Sequence, residues 1–314
     1  MVTPTFNSGQ SGTIPDNGLI IIDKPRGPTS HQVTAWTGEI LHAQVGHSGT
    51  LDPAVTGVLV VMTGRAVKFA PLLQRGDKEY IALMRLHADV GWDDLSRVAG
   101  EFTGRIYQRP PKKSAVARAL RIRTVHSLDL LEQEGRLVLM RVHCDAGTYI
   151  RMICHHMGLA LGVGAHLQEL RRTRSGPFTE ADAHSLHEVK DAAVMAQDGD
   201  PTWLAEMIVP PGRGIPGVPR VKIRDSAVDA ICHGALLAGV GVISNDPFRK
   251  GETVAVVSMQ DEVVCLGRAL TDSSSWKPGT PGFVIASSAV IMESGRYPKG
   301  WRTARKKSAM NEGS

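Results

Sequence analysis

GHSGTLDPAVTGVL, residues 46–59, sets a single carboxylate, Asp52, among three glycines, a serine, two threonines and a proline. Gly49 and Pro53 stand on either side of Asp52, and glycine and proline are the strongest local turn formers. The apolar run Val58-Leu59-Val60-Val61-Met62 follows and predicts a buried element that anchors the loop. Loops held between anchored elements are where reactive side chains are presented. Leu-Asp-Pro by itself also reads as an Asp-Pro turn, with the carboxylate accepting bonds from its own backbone. Taken alone, the loop leaves both readings open.

Upstream of the loop, Gly18 to Pro25 is a short, continuously apolar strand ending in a turn. Pro28-Thr-Ser-His opens a helix with Thr29 or Ser30 as N-cap and a buried stripe of Val33, Trp36, Ile40 and Leu41. Downstream, the pattern predicts a helix over Val67–Leu73, a half-buried strand over Lys78–His87 and a helix over 91–104. YQRPPKKSAVARAL surrounds Pro110-Pro111 and reads as a loop with a basic flank. Two strands separated by a turn at Gly135 come next. A helix then carries Ile150, Ile153, Met157 and Leu161 on one side and stops near Gly162 or Gly164. VPPGRGIPGVP marks a domain boundary. Beyond it, Ser226-x-x-Asp229 reads as a capping-box start for a short helix. β-rich runs at Thr253–Met259, Glu262–Leu270 and Gly282–Ser287 predict a small β-barrel. The expected organisation is an arm over 1–17, read as disordered, a first domain over 18–213, a second over 218–303 and a basic, polar tail over 304–314.

The chain of 314 residues is long enough for two cores, and its 42% hydrophobic and 21% charged residues are those of a globular protein. Its net charge of +5 is modest but clustered. Arg105, Arg109, Lys112, Lys113, Arg118, Arg121 and Arg123 lie within 103–123 with no acid between them. Arg171, Arg172 and Arg174 form a second cluster, and the C-terminal tail a third. A charge run is ordinarily a solvated face, but three such runs point to a polyanion, with nucleic acid first. The four cysteines are scattered, which suits reduced, mostly buried thiols in a cytoplasmic protein. No apolar run reaches the ~18 residues that span a bilayer, and the spacing of His42, His47, Cys144, Cys154, His155 and His156 matches no zinc signature.

Several strings in order, DKPRGPTSH, GHSGTLDPAVTGVL, KEYIA, IYQRPPKKSAVAR and AGTYIRMICHHMGLALGVGAHLQELRRTRSGPF, resemble the TruB-type pseudouridine synthases over nearly all of residues 18–303. GPTSH, IYQRPPKKSAV and a C-terminal region similar to a PUA domain resemble the archaeal and eukaryotic, dyskerin-like branch. The resemblance implies an α+β fold: a mixed, mainly antiparallel sheet with flanking helices, followed by the small β-barrel of a PUA domain. It implies that uridine in RNA becomes pseudouridine, with no cofactor, because neither a redox step nor a group donor is required. Asp52 maps onto the essential aspartate, Tyr80 onto the tyrosine that stacks on the flipped base, and Arg151 onto the arginine that pairs with the carboxylate. Lys24 and Pro25 resemble the pair that buttresses the aspartate loop. His47, Tyr149 and Leu170 are expected around the substrate.

The basic residues Arg105, Arg109, Lys112, Lys113, Arg118, Arg171, Arg172 and Arg174, with Lys222 and Arg224 of the second domain, are expected to hold RNA, mainly by its phosphates. The resemblance further implies an H/ACA guide RNA, small Nop-type and Gar-type proteins and a kink-turn-binding protein as partners, with ribosomal RNA and also tRNA as targets. A guide-independent synthase acting on the tRNA T-loop and a non-catalytic RNA scaffold are the competing readings. Residues 195–217 and the stretch Leu41-His-Ala-Gln-Val depart from the family pattern, which touches contacts with RNA or partners and not the chemistry.

Overall fold

The computed structural model describes residues 17–109 and 119–298. Lys112, Lys113 and Arg118, the arm up to residue 16 and the tail lie outside the described residues. The chain divides into two compact units that meet in sequence between Pro216 and Gly217.

In the first unit, β1 (Leu19–Lys24) is followed by α1 (Ser30–Leu41), β2 (Val45–Ser48) and β3 (Thr56–Thr63). A 3-10 turn over Gly64–Phe69 runs into α2 (Ala70–Leu73). Then come β4 (Lys78–Leu86), α3 (Trp92–Glu101), β5 (Gly104–Gln108), β6 (Arg121–Glu134), β7 (Leu137–Cys144) and α4 (Ile150–Ala160). β8 (Ala165–Ser175), β9 (Phe178–Thr179), α5 (Leu186–Gln197) and α6 (Thr202–Met207) complete the unit. The strands form one sheet in the order β1-β3-β8-β4-β7-β6-β5, with β2 on β3 and β9 on β8. Among the strand pairs of the described residues β3–β8 alone is parallel, so the sheet is mixed and mainly antiparallel, as expected.

That parallel pair is made possible by Gly57. Its φ is +101°, and a Cβ there would stand 2.2 Å from the Arg172 carbonyl oxygen, so no other residue allows the two strands to approach this closely. The long β4 and β7 strands bury Ala82, Met84, Val138, Met140 and Val142, with Ala165 of β8, against Ile150, Ile153, Cys154 and Met157 of α4. A second core joins Ile20, Ile22, Leu59 and Val61 to Val33 of α1 and to α5 and α6. The site therefore lies on strands whose sides are fixed by two cores.

Several boundaries differ from the sequence expectation. Thr29 is the N-cap of α1: it accepts from the Gln32 N–H at 3.1 Å while Gln32 accepts from the Thr29 N–H at 2.9 Å. The buried stripe of α1 is Ser30, Val33, Thr34 and Thr37, and Trp36 is 41% exposed. With Ser30 inside the helix, the inward face turns one position away from the tryptophan. The expected Val67–Leu73 helix is the end of a 3-10 turn as far as Phe69 and a single α-helical turn over Ala70–Leu73, with Pro71 at its start.

In the second unit, β10 (Arg220–Ile223), α7 (Asp225–Cys232), β11 (Leu237–Ala238), β12 (Val242–Asn245), β13 (Thr253–Val257), β14 (Val263–Ala269) and β15 (Phe283–Val290) form a sheet ordered β11-β15-β14-β13-β10-β12 around one apolar core. This is the barrel-like arrangement predicted from the short β runs. Ser226 does not cap α7. The helix begins at Asp225 from an extended Arg224 whose N–H is bound by the Gly241 carbonyl at 2.9 Å, and Asp229 instead accepts from the Gly295 N–H at 3.1 Å.

Candidate active site

Asp52 opens a tight turn closed by the Val55 N–H on the Asp52 carbonyl at 3.0 Å, with Pro53 at the position where its fixed φ suits a turn. The Asp-Pro turn and the presented carboxylate are thus the same structure. Four groups hold it from behind. Ser30 Oγ accepts from the Leu51 N–H at 2.8 Å and donates to the Leu51 carbonyl at 3.0 Å. Lys24 Nζ donates to the carbonyls of Pro25 and Val55, both at 2.8 Å, and of Pro53 at 3.3 Å. The Gly27 N–H donates to Pro53 at 2.9 Å. Arg172 donates from Nη2 to the Gly49 carbonyl at 2.9 Å and from Nε to the Val58 carbonyl at 2.7 Å, so one guanidinium grips the loop at entry and exit. The carboxylate itself stays 59% exposed.

Arg151 reaches this carboxylate from the first turn of α4, its Nη2 donating to Asp52 Oδ2. The start of α4 is fixed in turn by Gln108, a buried residue of β5. Its Oε1 accepts from the Tyr149 N–H at 2.9 Å and its Nε2 donates to the Tyr149 carbonyl at 3.1 Å. A primary amide matches a peptide unit donor for acceptor, which leaves the helix entry, and with it Arg151, little freedom. Tyr149 itself is half-buried.

Tyr80 pairs across the sheet with Arg172 and Val142, and Ala82 with Leu170. Tyr80, Leu170 and Arg172 therefore share the sheet face that α4 covers, because side chains two apart point the same way. The Tyr80 ring keeps some exposure while its hydroxyl meets the buried Arg172 guanidinium. Burial raises the phenol pKa and the neighbouring cation opposes that rise. Burial lowers the pKa of Arg172 itself. Lys24 is held below the usual lysine range by burial and then by Arg172, with Asp52 opposing. Lys78, buried beside the loop, is pushed down to about 8 by burial and by Arg172. His47 stands on β2 with Nε2 3.3 Å from Thr50 Oγ1 and its ring edge-on to His31, and burial first, then His31 and Arg172, lowers its pKa.

One sequence expectation needs correction. Arg172 is 1% exposed and spends its donors on protein carbonyls, so it has no surface to offer a phosphate. Lys24, 0% exposed, braces the loop as the resemblance implies, and Pro25 beside it is exposed. Arg171 and Arg174 are partly turned inward as well, to Asp23 and Glu180 and to Asp77 respectively. Arg105 and Arg109 are exposed at β5, the sheet edge opposite β1. In the second unit Arg224 is exposed and Lys222 pairs with Asp261 at 2.8 Å. Gln108 and Lys78 were not singled out from sequence, and Ser30 only as a possible helix cap. Among the described residues no group of three or more His, Cys, Asp or Glu side chains is placed to hold a metal ion, and no helix is long and apolar enough to cross a membrane.

The arrangement offers an exposed carboxylate with a guanidinium on it, on a rigid loop, beside an aromatic face. Comparison with known proteins bears on what it does. The family model for the TruB family pseudouridylate synthase N-terminal domain matches residues 39–150, that for the tRNA pseudouridylate synthase B C-terminal domain matches 151–214, and that for the PUA domain matches 219–286. A protein of Methanosarcina barkeri named "Probable tRNA pseudouridine synthase B" is 47% identical over 289 residues, 91% of this chain and 86% of that protein. One of the same name from Methanothermobacter thermautotrophicus is 49% identical, over 91% of this chain and 89% of its own length. Among solved structures, a chain of an H/ACA RNP bound to a substrate RNA containing 2′-deoxyuridine is 42% identical, with a TM-score of 0.82 over 92% of this chain and 94% of that one. A chain of a Cbf5-Nop10-Gar1 complex is 46% identical, with a TM-score of 0.83 over 90% and 88%.

Proposed function

Since the chain belongs to the TruB family of pseudouridylate synthases, we propose that it isomerises uridine to pseudouridine in RNA with Asp52 as the reacting carboxylate. The observation that carries this assignment is the Arg151 guanidinium on Asp52, at the head of a loop braced by Lys24, Ser30 and Arg172. The N1–C1′ bond breaks, the detached uracil turns while held, and C5 bonds to C1′. A carboxylate serves at C1′, as nucleophile or as counter-charge to the developing cation. Arg151 favours the ionised acid and fixes its rotamer. No second carboxylate is needed, since no water is activated, in contrast to glycoside hydrolysis.

The target base must leave its stack to reach Asp52. Tyr80 supplies the ring on which it stacks and a hydroxyl that relays the C5 proton, Leu170 an apolar wall, and Tyr149 and His47 the rim. Exposed cations at Arg105, Arg109 and Arg224 suit phosphates, which set affinity and register. The likeness to chains of H/ACA complexes supports a guide RNA with Nop-type and Gar-type proteins as partners; a kink-turn-binding protein and work in the cytoplasm complete the proposal. The names of the curated relatives favour a second reading, direct action on tRNA.

Asp52→Asn tests the chemistry: it should fold and bind RNA but release no tritium from [5-³H]uridine-labelled RNA, and detectable turnover would remove Asp52 from the mechanism. Assaying the full chain on a tRNA transcript, with and without guide RNA and partner proteins, separates the two substrates.

A further inference from the structure

Arg172 is a costly residue to bury. Its guanidinium donates to the carbonyls of Gly49 and Val58 and neighbours the hydroxyl of its cross-strand partner Tyr80, and none of these three partners is a carboxylate. Two more cations, Lys24 and Lys78, are buried close enough for Arg172 to lower their pKa values. A buried cation without an ionised partner is normally selected against, and such groups gather where a protein does chemistry.

The three partners belong to two separate pieces of the site. Gly49 and Val58 lie in and after the Asp52 loop, and Gly49 has φ +77°, with the position of a Cβ there 3.4 Å from Arg172 Nη1. Tyr80 lies on β4, which is bonded to β8 but not to β3. β8 stands between them, and Arg172 is the β8 residue paired with both Gly57 and Tyr80. We propose that Arg172 is a positioning residue of the isomerisation: its guanidinium ties the Tyr80 hydroxyl to the Asp52 loop, so that the phenol oxygen meets C5 while Asp52 meets C1′. When C5 gives up its proton, the C5–H electron pair returns to the ring, the proton replaces one that the hydroxyl hands to water, and N1 takes a proton from water. The negative charge passing through the phenol oxygen faces Arg172 throughout.

The inference rests on the proposed chemistry of Asp52, and the two fail differently: activity in Asp52→Asn sinks that chemistry, whereas the results below concern Arg172 alone. Single-turnover tritium release and the rate difference between [5-²H]- and [5-¹H]uridine RNA are measured for the full chain with guide RNA and partners, and on a tRNA transcript. Arg172→Lys keeps the charge but cannot reach three partners, and should slow release by about 100-fold, leave RNA affinity within about 3-fold and enlarge the C5 isotope effect. Tyr80→Phe with Arg172→Lys should be no slower than the worse single variant, because both remove one unit. Multiplying losses, an unchanged isotope effect, or rate and affinity falling together would overturn the proposal. If Arg172→Lys does not fold, Tyr80→Phe suffices: the exchange-protected Arg172 Nε–H signal in a ¹H–¹⁵N spectrum should shift in that variant, and an unmoved signal rejects the tie.

Discussion

Ser30 and Leu51 exchange two hydrogen bonds, the serine oxygen accepting at 2.8 Å and donating at 3.0 Å, so the first helical residue of α1 holds both polar groups of the residue before Asp52. Ser30→Ala leaves the buried Leu51 N–H and C=O without their partner, at about 1–3 kcal/mol. Urea unfolding should show that loss, and turnover should fall with it, because the carboxylate rides on the next residue. A variant with full stability would mean that Leu51 is satisfied from elsewhere.

Gly57→Ala should be far more damaging than any change in the exposed part of the loop. Its φ of +101° strains an alanine, and the new methyl would sit 2.2 Å from the Arg172 carbonyl oxygen, a backbone atom that cannot yield alone. Destabilisation of about 4 kcal/mol or more is expected, read as loss of soluble protein or a large drop in melting temperature. A near-normal melting temperature would show that β3 and β8 can part without cost.

Gln108→Leu tests whether the entry of α4 sets Arg151. The substitution keeps the volume and removes both amide bonds to Tyr149. Single-turnover rate should drop by roughly 10- to 100-fold with RNA affinity unchanged, since small displacements of a reacting group are expensive. Equal losses of rate and affinity would place Gln108 in RNA binding instead.

How far the sequence went can be judged at these residues. The apolar strand β1, a cap at Thr29 or Ser30 and the hairpin at Gly135 all follow from local pattern, and Asp52 with Arg151 follows from motif. Arg172 did not, because RRTR on a strand looks like a solvated cluster. Its burial depends on β3 approaching in parallel at Gly57, a relation that no local window contains. Ser30 was read as a possible cap; once Thr29 takes that task, the Ser30 hydroxyl is free to hold Leu51. Gln108 was lost in a string assigned to a basic loop, though it is the last residue of β5.

Lys78 gives a pH test. Its folded pKa, about 8, lies below the 10.5 of an ordinary lysine. The unfolded chain therefore binds the extra proton between these values, and stability rises with pH in that window. Below pH 8 the buried charge burdens the fold fully; above 10.5 the burden is gone. Compared with Lys78→Met, the wild type should gain about 3 kcal/mol across the window, measured by denaturant unfolding at stepped pH. A constant difference would mean that Lys78 is well solvated as a cation.

Arg151→Ala separates catalysis from binding. In the free protein the Arg151–Asp52 pair is exposed, with side chains 54% and 59% accessible. Exposed pairs contribute about 0–1 kcal/mol, so the variant should melt close to wild type. A nucleotide seated over Asp52 would exclude water, lower the local dielectric and strengthen the same pair when charge develops at C1′. Turnover should then fall by about 100- to 1,000-fold while RNA affinity changes by less than about 3-fold and its salt dependence stays the same. A phosphate-binding arginine would behave otherwise: affinity and rate would drop in step, and the slope of log affinity against log salt would shrink by about one. The ratio of the two losses decides between the roles, and it does so without any assumption about which RNA the enzyme modifies.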